Sequence, residues 1–213
     1  APARKNAGAR QGDGQLHFYP SRYSRTFQQW HENLRDWCIS RQLWWGHRIP
    51  VWTLRCPVQG NLPDAPLSPA PDGCSLPMCD HQDDALCVRL TVDRAENTVT
   101  VLACVDRGRP DIEDMLSKAG FEQDPDVLDT WFSSALWPMS TMGWPDPAAF
   151  PETIGLLDAF NPTDVLCTAR EIITLWVSRM VMLNRYFLDG RLPFTDVTIH
   201  PMVQDGHGQK MSK

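Results

Sequence analysis

Long hydrophobic runs are missing from this chain. No stretch approaches the ~18 consecutive apolar residues of a membrane-spanning helix, and no basic start followed by an apolar segment opens it. Neither a bilayer span nor a secretory signal is predicted, no membrane partner is expected, and the default location is cytoplasmic. Positive charge is also scarce: 20 Lys and Arg stand against 26 Asp and Glu, a net charge of −6. No basic face for a polynucleotide is apparent, and DNA is not an expected partner. The seven cysteines are odd in number and contain no Cys-x-x-Cys pair. Without a secretory context they predict reduced thiols rather than a disulfide scaffold. There is no internal repeat, and no low-complexity tract beyond the Gly-, Ala- and Arg-rich opening.

At 213 residues the chain is long enough for one or two domains with a buried core. Residues 1–16 are polar and aperiodic, and Leu16 to Tyr19 is a short strand-like run ended by Pro20. From Arg22 to Trp37 the large apolar residues Tyr23, Phe27, Trp30, Leu34 and Trp37 recur at helical spacing, which predicts an amphipathic helix. Pro and Gly punctuate residues 56–80, after which Leu86 to Leu90 and Thr98 to Val105 are β-rich runs around Arg94 to Asn97, the pattern of a hairpin. Further on, Asp164 to Cys167 is a strand candidate, Ala169 to Leu188 a helix candidate and Asp196 to His200 a second strand. Thr168 to Glu171 fits a capping box at the helix start, while Asp189-Gly190 and Pro193 are stop signals. A βαβ order implies parallel strands, with ligands beyond their carboxyl ends. Thr168 to Glu171 and the loop after His200 should therefore meet at one edge.

That loop ends in Lys210-Met211-Ser212-Lys213, preceded by Gly206 and Gly208. An ammonium on a long, flexible stem suits phosphate oxygens as a movable point charge. If such charges engage mainly as negative charge builds on a departing group, they lower a barrier rather than merely tighten binding. A solvated loop with two surface lysines would carry the same residues.

The segments Asp36 to Pro50 (Asp-Trp-Cys-Ile-Ser-Arg-Gln-Leu-Trp-Trp-Gly-His-Arg-Ile-Pro) and Asp126 to Pro138 (Asp-Val-Leu-Asp-Thr-Trp-Phe-Ser-Ser-Ala-Leu-Trp-Pro), with the terminal Lys-Met-Ser-Lys, resemble class I aminoacyl-tRNA synthetases, and among them the valine-specific enzymes. The resemblance implies an α/β fold: the C-terminal half of a Rossmann-like class I synthetase catalytic domain with a small β-rich insertion. It implies this organisation: residues 1–20 as the tail of an upstream editing insertion, 21–55 as re-entry into the catalytic domain, 56–122 as the insertion, and 123–213 as the second half of the catalytic domain. The missing initiator methionine and the cut through the terminal signature lead to the expectation of an internal fragment, lacking the HIGH-type half of the ATP site and inactive by itself.

By the same resemblance the intact protein would be a valine-activating tRNA ligase, with valine, ATP bearing Mg2+, and tRNA(Val) as substrates, most of the tRNA grip lying elsewhere. Catalysis would fall to Lys210 and Lys213; Glu171, His200, Lys210, Met211, Ser212 and Lys213 would bind ATP, and Trp131 and Trp176 would flank the amino-acid side chain. Indole faces can shape a small dry pocket for a branched aliphatic group, although Trp176 also lies on an apolar stripe with Ile173, Met180 and Leu183 that would suit ordinary core packing. Such a pocket excludes isoleucine by size but discriminates poorly against threonine, a property already known for the valine enzymes. An editing centre is therefore implied outside this chain.

The chain departs from the family pattern at two places. Ala169-Arg170-Glu171 replaces a Gly-x-Asp sequence whose acid binds the ATP ribose, so Glu171 is open to either a ribose or a helix-capping role. His200-Pro201 replaces His-Gly. His47 and His200 are site neighbours or structural histidines. Cys56, Cys74, Cys79, His81 and Cys87 occupy the region of a zinc knuckle in relatives but lack paired ligand spacing, so zinc is not the expected reading. Two other functions remain compatible: an isoleucine- or leucine-type ligase, and a non-catalytic module that binds nucleotide or tRNA.

Overall fold

The computed structural model describes residues 15–57, 85–106 and 108–211. They form two compact units, one from the described residues up to 39 and from 129 onward, the other from those between 40 and 128. The chain begins in the first with β1 (His17–Tyr19) and α1 (Arg22–Glu32). Tyr23 and Phe27 lay the apolar face of α1 against that unit's core. The helix stops earlier than the spacing predicts, because the Asn33 side chain donates to the Gln29 carbonyl at 2.8 Å and diverts the backbone from its helical pattern. Leu34 and Trp37 thus fall outside the helix.

The second unit runs through β2 (Ser40–Arg41), β3 (Val51–Pro57), β4 (Leu86–Asp93), β5 (Thr98–Val105), α2 (Pro110–Lys118), β6 (Glu122–Gln123) and β7 (Val127–Leu128). Its main sheet is antiparallel in the order β4-β5-β3-β6, and β2 pairs separately with β7. Strict alternation on β5 buries Val99, Val101, Ala103 and Val105 against Trp52, Ile112, Leu116 and Phe121. The expected hairpin forms, with Asp93 Oδ1 accepting from the Ala95 and Glu96 amides and Asn97 turning at φ 49°. The unit takes in residues on both sides of 56–122, since β3, drawn largely from residues before 56, pairs along its whole length with β5. Gly46 lies under β7, where an added Cβ would stand 2.7 Å from Val127 Cγ2.

Back in the first unit come α3 (Thr130–Ala135), α4 (Trp137–Ser140), α5 (Leu156–Phe160), β8 (Thr163–Ala169), α6 (Ser178–Phe187) and β9 (Phe194–His200). The sheet order is β1-β9-β8, parallel throughout, with Ala169 opposite His200 and Tyr19 opposite Thr198. All three carboxyl ends thus reach one edge. The tail expected over residues 1–20 supplies a strand of this sheet, β1, while residues 1–14 lie outside those described. Phe18, Phe194, Val197 and Ile199 pack against Ile173, Val177, Met180 and Val181.

The single helix anticipated from Ala169 to Leu188 is three pieces: a 3-10 turn at Arg170–Ile172, a π turn at Ile173–Val177, then α6. Widening to a π turn leaves main-chain carbonyls to be satisfied, and Arg179 Nη1 donates to those of Leu175 at 2.9 Å and Thr174 at 3.3 Å. The capping box does not form. Thr168 is buried as part of β8, and no side chain caps the start of the 3-10 turn. The stop signals act as anticipated, with Asp189 and Gly190 both at positive φ and the Gly190 amide donating to the Arg185 carbonyl at 2.8 Å.

Candidate functional site

At the carboxyl edge of the parallel sheet, β8 leads into Arg170, Glu171 and Ile172, and β9 leads into the loop 201–211. The two meet through Lys210 Nζ and Glu171 Oε1, 2.9 Å apart. This pair is exposed, with the side chains 60% and 39% accessible, so water screens it and its net contribution is about 0–1 kcal/mol. An ion pair this weak can be exchanged for a phosphate. Glu171 thus pairs with Lys210 rather than capping a helix.

The loop after β9 carries two glycines but is not open chain. Instead, Asp205 Oδ1 accepts from the amides of His207 at 2.9 Å and Gln209 at 2.8 Å, its own amide donates to the Gln209 carbonyl at 2.8 Å, and Gly208 supplies the left-handed turn at φ 77°. Gln204 and Lys210 bridge antiparallel, and the Met211 amide donates to Val203 at 3.1 Å. These bonds fix the main chain from which Lys210 reaches Glu171. Met211 is exposed, His200 donates Nδ1–H to the Pro201 carbonyl at 2.8 Å, and Ser212 and Lys213 lie outside the described residues.

Immediately after Glu171 a small hollow opens. Trp131, Ser134, Trp137, Ile172 and Trp176 line about 180 Å³ of mostly apolar space. That is below the roughly 300–1,000 Å³ of drug-sized ligand pockets and suits a side chain of a few carbons. Trp131 and Trp176 thus line one hollow. Trp176 is held by its indole N–H donating to the Ser134 carbonyl at 3.0 Å. Trp131 is held by its main-chain amide, which donates to Asp129 Oδ1 at 2.9 Å as the N-cap bond of α3.

Ile172, Ser134 and Trp137 were not singled out from the sequence. Ile172 follows Glu171 directly, so the strand-end argument could have included it; Ser134 and Trp137 join only through the packing of α3 and α4. Asp129 and Asp205 were also missed, although Asp before a helical run and Asp before glycine are recognisable cap and turn signals.

Other candidates are dispersed. Cys74, Cys79 and His81 lie outside the described residues, Cys56 is half-buried in β3 and Cys87 exposed in β4. Among the described residues no group of three or more His, Cys, Asp or Glu could hold a metal ion. His47, in the second unit, is exposed. No helix of the described residues is long and apolar enough to cross a membrane.

A parallel-sheet edge thus presents a lysine loop beside an indole-lined hollow. Residues 4–57 and 75–213 match the model for class I tRNA synthetases (I, L, M and V), and the chain belongs to that family. Within it, the chain is 40% identical to valine--tRNA ligase of Rhodopirellula baltica over 94% of its length, 41% identical to that of Geobacter sulfurreducens over all of it, and 43% identical to that of Geobacillus stearothermophilus over 95%. It spans only 17–19% of the length of these relatives.

Proposed function

We propose that this chain supplies the amino-acid pocket and the phosphate-side lysine loop of a cytoplasmic valine--tRNA ligase, with valine, ATP bearing Mg2+, and tRNA(Val) as substrates. The observation that carries the reading is the continuity of Lys210, Glu171 and Ile172: the lysine pairs with the glutamate at 2.9 Å, and the next residue is a wall of the hollow shared by Trp131 and Trp176. Phosphate chemistry and aliphatic recognition would therefore occur at one sheet edge.

In the reaction this supports, a valine carboxylate oxygen attacks the α-phosphorus of ATP. The new O–P bond forms as the α–β phosphoanhydride breaks, and pyrophosphate leaves. The terminal tRNA hydroxyl then takes the valyl group and AMP departs. The first step needs no protein nucleophile, so the chain contributes positioning and charge. Trp131, Trp176 and Ile172 would seat the isopropyl group. Lys210, released from Glu171 by competing phosphate oxygens, would stabilise charge on the leaving pyrophosphate together with Lys213. Glu171, once released, presents acceptor oxygens that suit ribose hydroxyls, with His200 and the main chain of Met211 and Ser212 around the nucleotide.

Valine-dependent exchange of pyrophosphate into ATP, measured on the full-length protein that carries this segment, tests the reading. Lys210→Ala should lower kcat by about 10²-fold or more, the scale of losing one charge-stabilising donor, with a much smaller change in the KM for valine. Equal exchange with isoleucine or leucine would reassign the pocket to a paralogous ligase. Nucleotide binding without exchange for any amino acid would make the protein a non-catalytic module.

A further inference from the structure

We propose that Trp37, clamped between Asp129 and Arg179, is a positioning residue that sets the separation of Trp131 and Trp176, the two indole walls of the pocket. The inference rests on the reading of that hollow as the amino-acid site. None of the three clamp residues lines it.

Asp129 is buried, at 4% exposure, and its two carboxyl oxygens serve two tryptophans. Oδ1 accepts the main-chain amide of Trp131 at 2.9 Å, and Oδ2 accepts the indole N–H of Trp37 at 3.0 Å. The Asp129 amide donates to the Ile39 carbonyl at 2.7 Å, tying the same two segments a second time just beyond Trp37. The edge of the Trp37 indole therefore anchors the start of α3, where Trp131 sits.

Its face anchors the other wall. The Arg179 guanidinium lies over the Trp37 ring, 4.1 Å from the centroid. Arg179 Nη1 donates to the carbonyls of Leu175 and Thr174, within the π turn that carries Trp176. A planar cation that stacks on an indole while its Nη1 donates to main-chain carbonyls is what guanidinium offers and a compact ammonium does not. One indole thus couples by its N–H to the segment holding Trp131 and by its π face to the segment holding Trp176.

Such coupling matters because a hydrophobic pocket gains little discrimination per methylene, and that little depends on the walls staying at the right separation. The clamp should therefore affect amino-acid selection more than nucleotide use. A simple packing role would have no such asymmetry.

The test uses the full-length protein with Trp37→Phe, which keeps a ring under the guanidinium but removes the N–H, and Arg179→Lys, which keeps the charge but removes the planar group. In pyrophosphate exchange, Trp37→Phe should raise the KM for valine about tenfold while kcat and the KM for ATP stay within about twofold. The preference for valine over 2-aminobutyrate should narrow. Arg179→Lys should act in the same direction, and the double variant should lose less than the product of the single losses. In parallel, 19F NMR of protein labelled with 5-fluorotryptophan should show the Trp131 and Trp176 resonances shifting in either variant. An unchanged KM for valine, or a loss shared equally by ATP, overturns the proposal. If the unmodified protein activates no amino acid, the functional reading fails and the clamp is judged by the fluorine resonances alone, unshifted signals overturning it. If Trp37→Phe does not fold, Arg179→Lys carries both measurements.

Discussion

In the antiparallel unit every buried residue among those described is apolar, from Trp52 to Val127, whereas the parallel unit buries Asp129, Asn161, Thr168, Ser178 and Asn184. A buried polar group costs free energy unless it is hydrogen-bonded, so these side chains mark where the parallel unit holds particular segments together. Asn161 and Asn184 exchange amide hydrogen bonds at 2.8 and 3.2 Å and add bonds to the Pro138 and Arg191 carbonyls, joining α4, α6 and the approach to both sheet strands. Ser178 contacts His31 at 3.2 Å, linking α6 to α1. Asp129 links Trp37 to Trp131. The antiparallel unit coheres by apolar burial; the parallel unit adds directional bonds and orients a pocket.

Breaking each unit by its own means should separate these two kinds of cohesion. The largest expected effect is in the antiparallel core, where Leu116 is fully buried. Leu116→Ala should cost about 2–5 kcal/mol through lost transfer energy and the cavity left behind, read by chemical denaturation, and should leave the amino-acid preference unchanged. Asn184→Leu preserves bulk but strands the partners on Asn161 and Arg191, so a loss of roughly 2–3 kcal/mol is expected from unsatisfied buried groups. A neutral outcome would show that the amide pair does not hold these segments together.

The smallest effect concerns Cys104, opposite Cys87 on the outer face of β5 and β4. Burial, then the neighbouring Cys87 and Asp106, push its thiol above the ordinary 9.0. The raised value means that its contribution to stability is intact below the unfolded pKa and is lost as pH rises through the folded one. A slight alkaline loss of stability beginning above about pH 9 should therefore flatten in Cys104→Ser, and iodoacetamide should modify Cys104 at neutral pH more slowly than it does a free peptide thiol.

Much of the architecture was legible from pattern. β-Rich residue content located β5 from Thr98 to Val105, and short apolar runs located β8 and β9, the latter two extended by main-chain pairing beyond the run itself. Strand, crossover and strand also predicted that Glu171 and the lysine loop share an edge. The same kind of reasoning overran α1, because helical spacing continues through Leu34 and Trp37 while Asn33 ends the helix locally. It also read one helix where three turn types occur, since apolar spacing does not register carbonyls satisfied by Arg179.

The tryptophans show the limit most directly. Residue type and motif drew attention to Trp131 and Trp176, but Trp44 and Trp45 in the other signature segment are 92% and 84% exposed. Composition cannot distinguish a pocket wall from an open surface, because both are indoles in apolar-rich sequence. Contact decides it.

Residue pattern and turn residues determined the strands and the parallel crossover, and the motif segments carried the resemblance to the family, because these depend on neighbours within a few positions and survive in linear order. Only the tertiary structure decided that Glu171 pairs with Lys210, that Ile172 joins the two indoles, and that Trp37 links Asp129 to Arg179. The Glu171 and Trp37 pairings connect residues from 39 to 142 positions apart, and long-range pairing of this kind is set by how whole elements pack rather than by any local preference.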